Sequence, residues 1–283
     1  MAAKGNIVFD KAFIDLLKDI YDSELIVSND LLTDVNQWVA SKTHHEITEI
    51  LSDNEADFVL LNAVYLNLKW ANQFEKPDSG WPVRSFTCAD GTMAPVSMMT
   101  QTGDFSIYRG AAFDMLEKPY KAPDGRQLSQ VIFLPHRFLS LEAVEAGLTQ
   151  EVIQHCRKEA YFERDVDLSM PKIKAECTLS LLDILKEMGL PLEWHSLDAT
   201  KARKGNTDAL CITDVLHKTV VSNDEEGTVA AAVTAITLNC LCTSVGRLPS
   251  TFNIDRGYAY MIMDGDTMMF RGRISDATPL IVD

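Results

Sequence analysis

The sequence predicts an α+β protein of mixed helices and mostly antiparallel strands. Three observations carry this. Helical periodicity appears in stretches such as "DKAFIDLLKDIYD" near the N-terminus. Strand-like segments follow in series after Pro77, separated by turn chemistry such as Asp90-Gly91. The C-terminal end closes on a hairpin signal, "YAYMIMDGDTMMFRGRI", around Asp264-Gly265-Asp266.

Taken in order, residues 10–22 place Phe13, Leu16, Leu17, Ile20 and Tyr21 on one helical face. A second helix is expected over 33–42, with Val35, Trp38 and Val39 on one side and Thr33 or Asp34 near its start. Residues 46–52 read as a short third helix. Phe58 to Trp70 is apolar on both parities and rich in β-branched and aromatic residues, the pattern of a central strand buried on both faces. Strands are expected near 92–99, 104–109, 112–120 and 128–135, and an amphipathic helix over 139–156. "RDVDLSMPKIKAE" reads as one long alternating strand. "TLSLLDILKEMGL" reads as a helix capped by Thr178 and stopped by Gly189. "ITDVLHKTVVSN" is a further strand. It runs directly into "NDEEGTVAAAVTAITL", a segment too small in side chains to fill a core.

The composition excludes several function classes. The net charge of -15 would repel nucleic acid and anionic membrane, so neither is expected as a partner. No window reaches the about 18 apolar residues that a membrane span needs, and no secretory leader is seen. The six cysteines follow neither a disulfide framework nor zinc spacing, which points to free thiols in a reducing, intracellular compartment. The nucleophile-elbow, phosphate-loop and His-Glu-x-x-His motifs are missing, and no metal or cofactor is expected. His217, mid-strand among apolar residues, reads as a hydrogen-bonded core histidine.

"DEEGTVAAAVTA" resembles the hinge of the reactive-centre loop of serpins. "FVLLNAVYLNLKWANQFEKP" is similar to the third strand of the serpin's large sheet and the Trp-containing turn after it. "DLSMPKIKAECTLSLLDILKEMGL", "VLHKTVVSNDEEGT" and "FRGRISD" resemble further serpin strands, in serpin order and spacing. The resemblance implies a single serpin domain over residues 1–283, with a large, mainly antiparallel sheet, further sheets and surrounding helices, and a reactive-centre loop at about 225–250. It also implies a hinge of Glu225, Glu226, Gly227, Thr228, Ala230, Ala231 and Ala232, and places Asn62, Trp70 and His217 in the shutter and breach. The first helices of the family have no counterpart, so an N-terminally reduced, natural minimal serpin is expected, similar to the intracellular serpins of poxviruses. Gly257-Tyr258 stands where the family has Pro-Phe, and Ala277 where it has proline.

The resemblance further implies a suicide-substrate protease inhibitor that is not itself an enzyme. In an inserted strand Thr228, Ala230, Ala232 and Thr234 share one face, and each must be small to fit beneath an existing core. The family's hinge-to-cut spacing lands on Leu241-Cys242, whereas counting back from Phe252 gives Thr243-Ser244. A leucine at the cut suits a host serine or cysteine protease with an apolar primary pocket. A non-inhibitory serpin-fold binding protein is the alternative, and a Cys/His hydrolase a distant third. A monomer or weak homodimer is expected.

Overall fold

A computed structural model describes residues 1–66, 68–122, 125–190, 212–227 and 250–283. In chain order these form β1 (Ala2–Lys4), α1 (Lys11–Tyr21), β2 (Ile26–Ser28), α2 (Leu31–Lys42), β3 (Phe58–Tyr65), β4 (Lys69–Trp70), β5 (Val83–Thr87), β6 (Met93–Arg109), β7 (Phe113–Lys121) and β8 (Leu128–Pro135). They continue with α3 (Leu141–Gly147), α4 (Gln150–Glu159), β9 (Tyr161–Pro171), β10 (Ile173–Ser180), α5 (Leu182–Glu187), β11 (Asp214–Asn223), β12 (Ser250–Asn253), β13 (Tyr258–Asp264) and β14 (Thr267–Ile274). Two compact units result, Met1–Tyr65 with Glu176–Val220, and Leu66–Ala175 with Val221–Asp283.

The first unit is built on a sheet of strand order β10-β11-β3-β1-β2. This sheet is mixed. β1 pairs β3 antiparallel, while β1 with β2 and β3 with β11 run parallel. Asp10 caps α1 by accepting from the Ala12 amide, and Asp30 caps α2 by accepting from Thr33. The cap of α2 is thus Asp30, ahead of the expected Thr33 or Asp34. Val35 and Val39 enter a core with Leu31, Ile47, Ile50, Leu51 and Val59.

Residues 46–52 are not helical. Asn36 explains why: its Oδ1 accepts from the Ile50 and Leu51 amides, and its Nδ2 donates to the Leu51 carbonyl. A side chain takes the backbone bonds that a helix would have made. On α1 only Leu17 of the expected apolar face is buried, while Ile20 and Tyr21 are 68% and 66% exposed.

The second unit carries the strand path β12-β9-β6-β7-β8-β13-β14, with β5 on β6 and β4 on β7. One long strand, β6, replaces the two expected over 92–109, with a register shift between Gly103 and Phe105. The expected helix over 139–156 is two, because Thr149 caps α4 through the Val152 amide and interrupts the run after Gly147. "RDVDLSMPKIKAE" is likewise divided at Pro171, which ends β9 before β10 begins. β10 extends through Thr178 to Ser180, so α5 starts at Leu182 without a side-chain cap.

Candidate functional site: the hinge clasp after β11

β11 ends at Asn223, and the next four residues fold into a tight turn. Asp224 organises it. Its Oδ1 accepts from the amides of Glu226 and Gly227, both at 2.9 Å, and its own amide donates to the Gly227 carbonyl at 2.9 Å. Burial raises the Asp224 carboxyl above its ordinary value, against the lowering effect of those two amides.

The turn is gripped by β4 and the segment after it. The Trp70 amide donates to the Glu226 carbonyl and the Phe74 amide to the Glu225 carbonyl, each at 2.9 Å. Trp70 Nε1 donates to the Asp224 carbonyl at 3.0 Å, and Gln73 Nε2 to the Glu226 carbonyl at 3.3 Å. Gly227 forms an antiparallel bridge with Lys69. Its φ of +143° and its approach to the chain require glycine: a Cβ there would stand 2.1 Å from the Leu68 carbonyl oxygen.

Charge adds a second layer. Glu225 lies 3.1 Å from Lys172 and 3.8 Å from Lys76, and Glu226 lies 3.8 Å from Lys69. Lys172 also holds Asp283 at 2.7 Å. Burial pulls the Lys172 ammonium down, but its bonds to Asp283 and Glu225 outweigh this and leave it raised.

The floor of the clasp is aromatic. Trp70 is buried and stacks on Tyr120 with ring centroids 4.4 Å apart. Beside it lies Lys118, fully buried on β7. Its Nζ is 5.0 Å from the Trp70 ring centroid, 4.5 Å from Phe74 and 5.5 Å from Phe105. It donates to the Asn72 carbonyl and to Gln101 Oε1. Burial pushes Lys118 down to about 7.

Of the residues assigned from sequence, Glu225, Glu226, Gly227 and Trp70 meet here. Asn62 and His217 face each other as register partners on β3 and β11 in the first unit. His217 is half-buried, with Nε2 2.9 Å from Thr219 Oγ1, and Asn62 is exposed, so neither is a core residue. Thr228, Ala230, Ala231, Ala232, Leu241 and Cys242 lie outside the described residues. The sequence reading missed Lys118, Lys172, Lys76 and Asp283. Lys118 carried a signal: with Leu116 and Tyr120 it occupies the inward parity of β7. Among the described residues no three potential metal ligands converge, and no helix is long and apolar enough to cross a membrane.

The serpin family model, described as serine protease inhibitor, matches residues 1–277. The chain belongs to the serpin family. Iris of Ixodes ricinus is 33% identical over 282 residues, covering 93% of this chain and 72% of that protein. Serpin B6 of Pongo abelii is 32% identical over 250 residues, covering 85% of this chain and 64% of its own length. Among solved structures, the thermophilic serpin tengpin in its native state has a TM-score of 0.78 at 26% identity, covering 97% of this chain and 71% of that one. These relatives identify a serpin of α+β fold and support protease inhibition in general. They are not viral, and the expected poxviral source finds no support in them.

Proposed function

We propose that this serpin works as one domain over residues 1–283 and inhibits a protease as a suicide substrate, with cleavage near Leu241-Cys242 followed by insertion of the loop into the five-stranded sheet. The observation that carries this reading is the pairing of β3 with β11. The two run parallel and in unbroken register from Asp214↔Val59 to Val220↔Tyr65. A segment that leaves the end of β11 and turns back runs antiparallel to β11. It is therefore antiparallel to β3 as well, and a strand entering between them finds antiparallel ladders on both sides. Small side chains at Thr228, Ala230, Ala232 and Thr234 suit that entry. The clasp at Glu225 to Gly227 holds the root of the loop until release.

The target we propose is a serine or cysteine protease with an apolar primary pocket, matched to Leu241. The free thiols of Cys88, Cys156 and Cys177 support a reducing compartment. An intracellular viral modulator of host proteases, acting as a monomer or weak dimer, completes the proposal. It draws its support from the sequence resemblance.

The test is incubation with chymotrypsin-like serine and papain-like cysteine proteases, read by denaturing gel and intact mass. The expected result is a covalent adduct, a released peptide beginning at Cys242 and a cleaved chain with a higher melting temperature. Clean cleavage with protease activity undiminished and no thermal gain would overturn it and favour a non-inhibitory binding protein.

A further inference from the structure

The chain beyond β14 returns to the clasp. The Lys174 amide donates to the Pro279 carbonyl at 2.8 Å and the Ile281 amide to the Lys172 carbonyl at 3.0 Å. Leu280 bridges Ile173 in antiparallel fashion. The Ser97 amide donates to the Ile281 carbonyl at 2.8 Å, and the Asp283 amide donates to Ser97 Oγ at 2.9 Å. Main-chain bonds from two strands thus fix the place of Asp283 independently of its side chain.

The Asp283 carboxylate then meets the two lysines that hold hinge residue Glu225. Its Oδ2 lies 2.7 Å from Lys172 and 3.5 Å from Lys76. Glu225 sits farther from each, at 3.1 Å and 3.8 Å. The Lys172 side chain is only 13% exposed. A half-buried ammonium stripped of its carboxylate is costly, so departure of Glu225 would strand Lys172 if Glu225 were its only counter-ion.

We propose that Asp283 is a positioning residue for hinge release: a standing counter-ion that keeps Lys172 paired when Glu225 leaves. The inference rests on the loop-insertion reading for its functional meaning. Two effects act in the same direction. Asp283 divides the attraction of Lys172 and Lys76 and repels Glu225, which weakens the hinge in place. It also neutralises Lys172 after release, which lowers the cost of leaving. Its removal therefore tightens the hinge.

The experiment is hydrogen exchange on the uncleaved, full chain, followed in the segment 69–75, whose Trp70 and Phe74 amides donate to the hinge carbonyls. Asp283→Asn keeps the main-chain bonds and should slow exchange about threefold or more, the scale of one partly exposed ion pair. Asp283→Glu should restore the wild-type rate. In a Lys172→Gln background Asp283→Asn should slow exchange by clearly less, because only the Lys76 and Glu225 interactions of Asp283 remain. A purely structural role for the tail would give the same effect in both backgrounds. Unchanged or faster exchange in Asp283→Asn, or the same slowing in the Lys172→Gln background, overturns the proposal. The melting temperature of protease-cleaved wild type reports separately on insertion. If cleavage brings no thermal gain, the insertion reading fails, while exchange still decides the role of Asp283.

Discussion

The two units are packed to different standards. In the nine-stranded unit a continuous core runs from Trp70 and Phe86 through Met98, Ile107 and Ile132 to Phe252 and Ile274, all fully or nearly fully buried. Every residue of β8 and all of β13 but Asp264 are buried. In the five-stranded unit β3 buries only Phe58 and Val59, and Leu60 to Tyr65 are half-buried or exposed. Residues 214–219 of β11 are all half-buried. The lesson concerns mobility. Strands with little fully buried apolar area open at lower free energy than strands locked in a dense core. The five-stranded sheet belongs in the first class, and the scaffold around Trp70 in the second.

The largest expected effect tests the dense unit. Trp70→Ala removes a buried ring stacked on Tyr120 and the donor to the Asp224 carbonyl. It should cost roughly 3–5 kcal/mol, read by urea unfolding. Trp70→Phe should recover most of that and lose the single bond, about 1 kcal/mol. A small loss for Trp70→Ala would mean that the two units do not differ as described.

Next is Gly227→Val, which places a Cβ against the Leu68 carbonyl and Lys69 Cα in a conformation with φ of +143°. The strain is about 2–3 kcal/mol, and opening the clasp relieves it. The expected signature is faster hydrogen exchange over 69–75 with unchanged protection in β8 and β13. Faster exchange throughout both would erase the distinction between clasp and core.

Lys118 sharpens the comparison through pH. Its folded value of about 7 lies below the ordinary 10.5. Between those values unfolding takes up a proton, so stability rises with pH above about 7 and is lowest at and below it. The slope is about 1.4 kcal/mol per pH unit at most. The test is the urea midpoint of wild type at pH 6 and pH 8 against Lys118→Met. The variant should lose the rise that Lys118 contributes, and an identical pH profile would exclude this assignment.

The smallest effect lies in the loose unit. Thr219→Val removes the partner of half-buried His217 and should change stability by less than about 1 kcal/mol. A loss of several kcal/mol would show that β11 is held more firmly than its burial indicates.

Much of this was legible in the sequence, for reasons that differ by element. β8 was placed at its observed bounds because a buried central strand leaves an apolar run between turns. The need for glycine at position 227 was legible because a close turn with positive φ is a local demand. The segment 46–52 was misread because Asn36, more than a turn of chain away, supplies the bonds that decide it. The helix over 139–156 was misread because apolar periodicity continues through a position where Thr149 caps a new start.

What the sequence by itself determined is therefore what neighbours in the chain set: β8 at its bounds, the C-terminal hairpin turn at Asp264-Gly265-Asp266, the glycine at 227 and the net acidic charge. Only the tertiary structure decided which charges meet. Lys76 and Asp283 are 207 positions apart and Lys172 and Asp283 are 111 apart, yet the three share one cluster with Glu225. The same holds for Lys118, whose inward parity was legible but whose three aromatic neighbours come from β4, from the segment after it and from β6. Side-chain periodicity reports which way a residue faces. Coulomb and ring interactions act over a few ångströms, so their partners exist only once the chain has closed those distances.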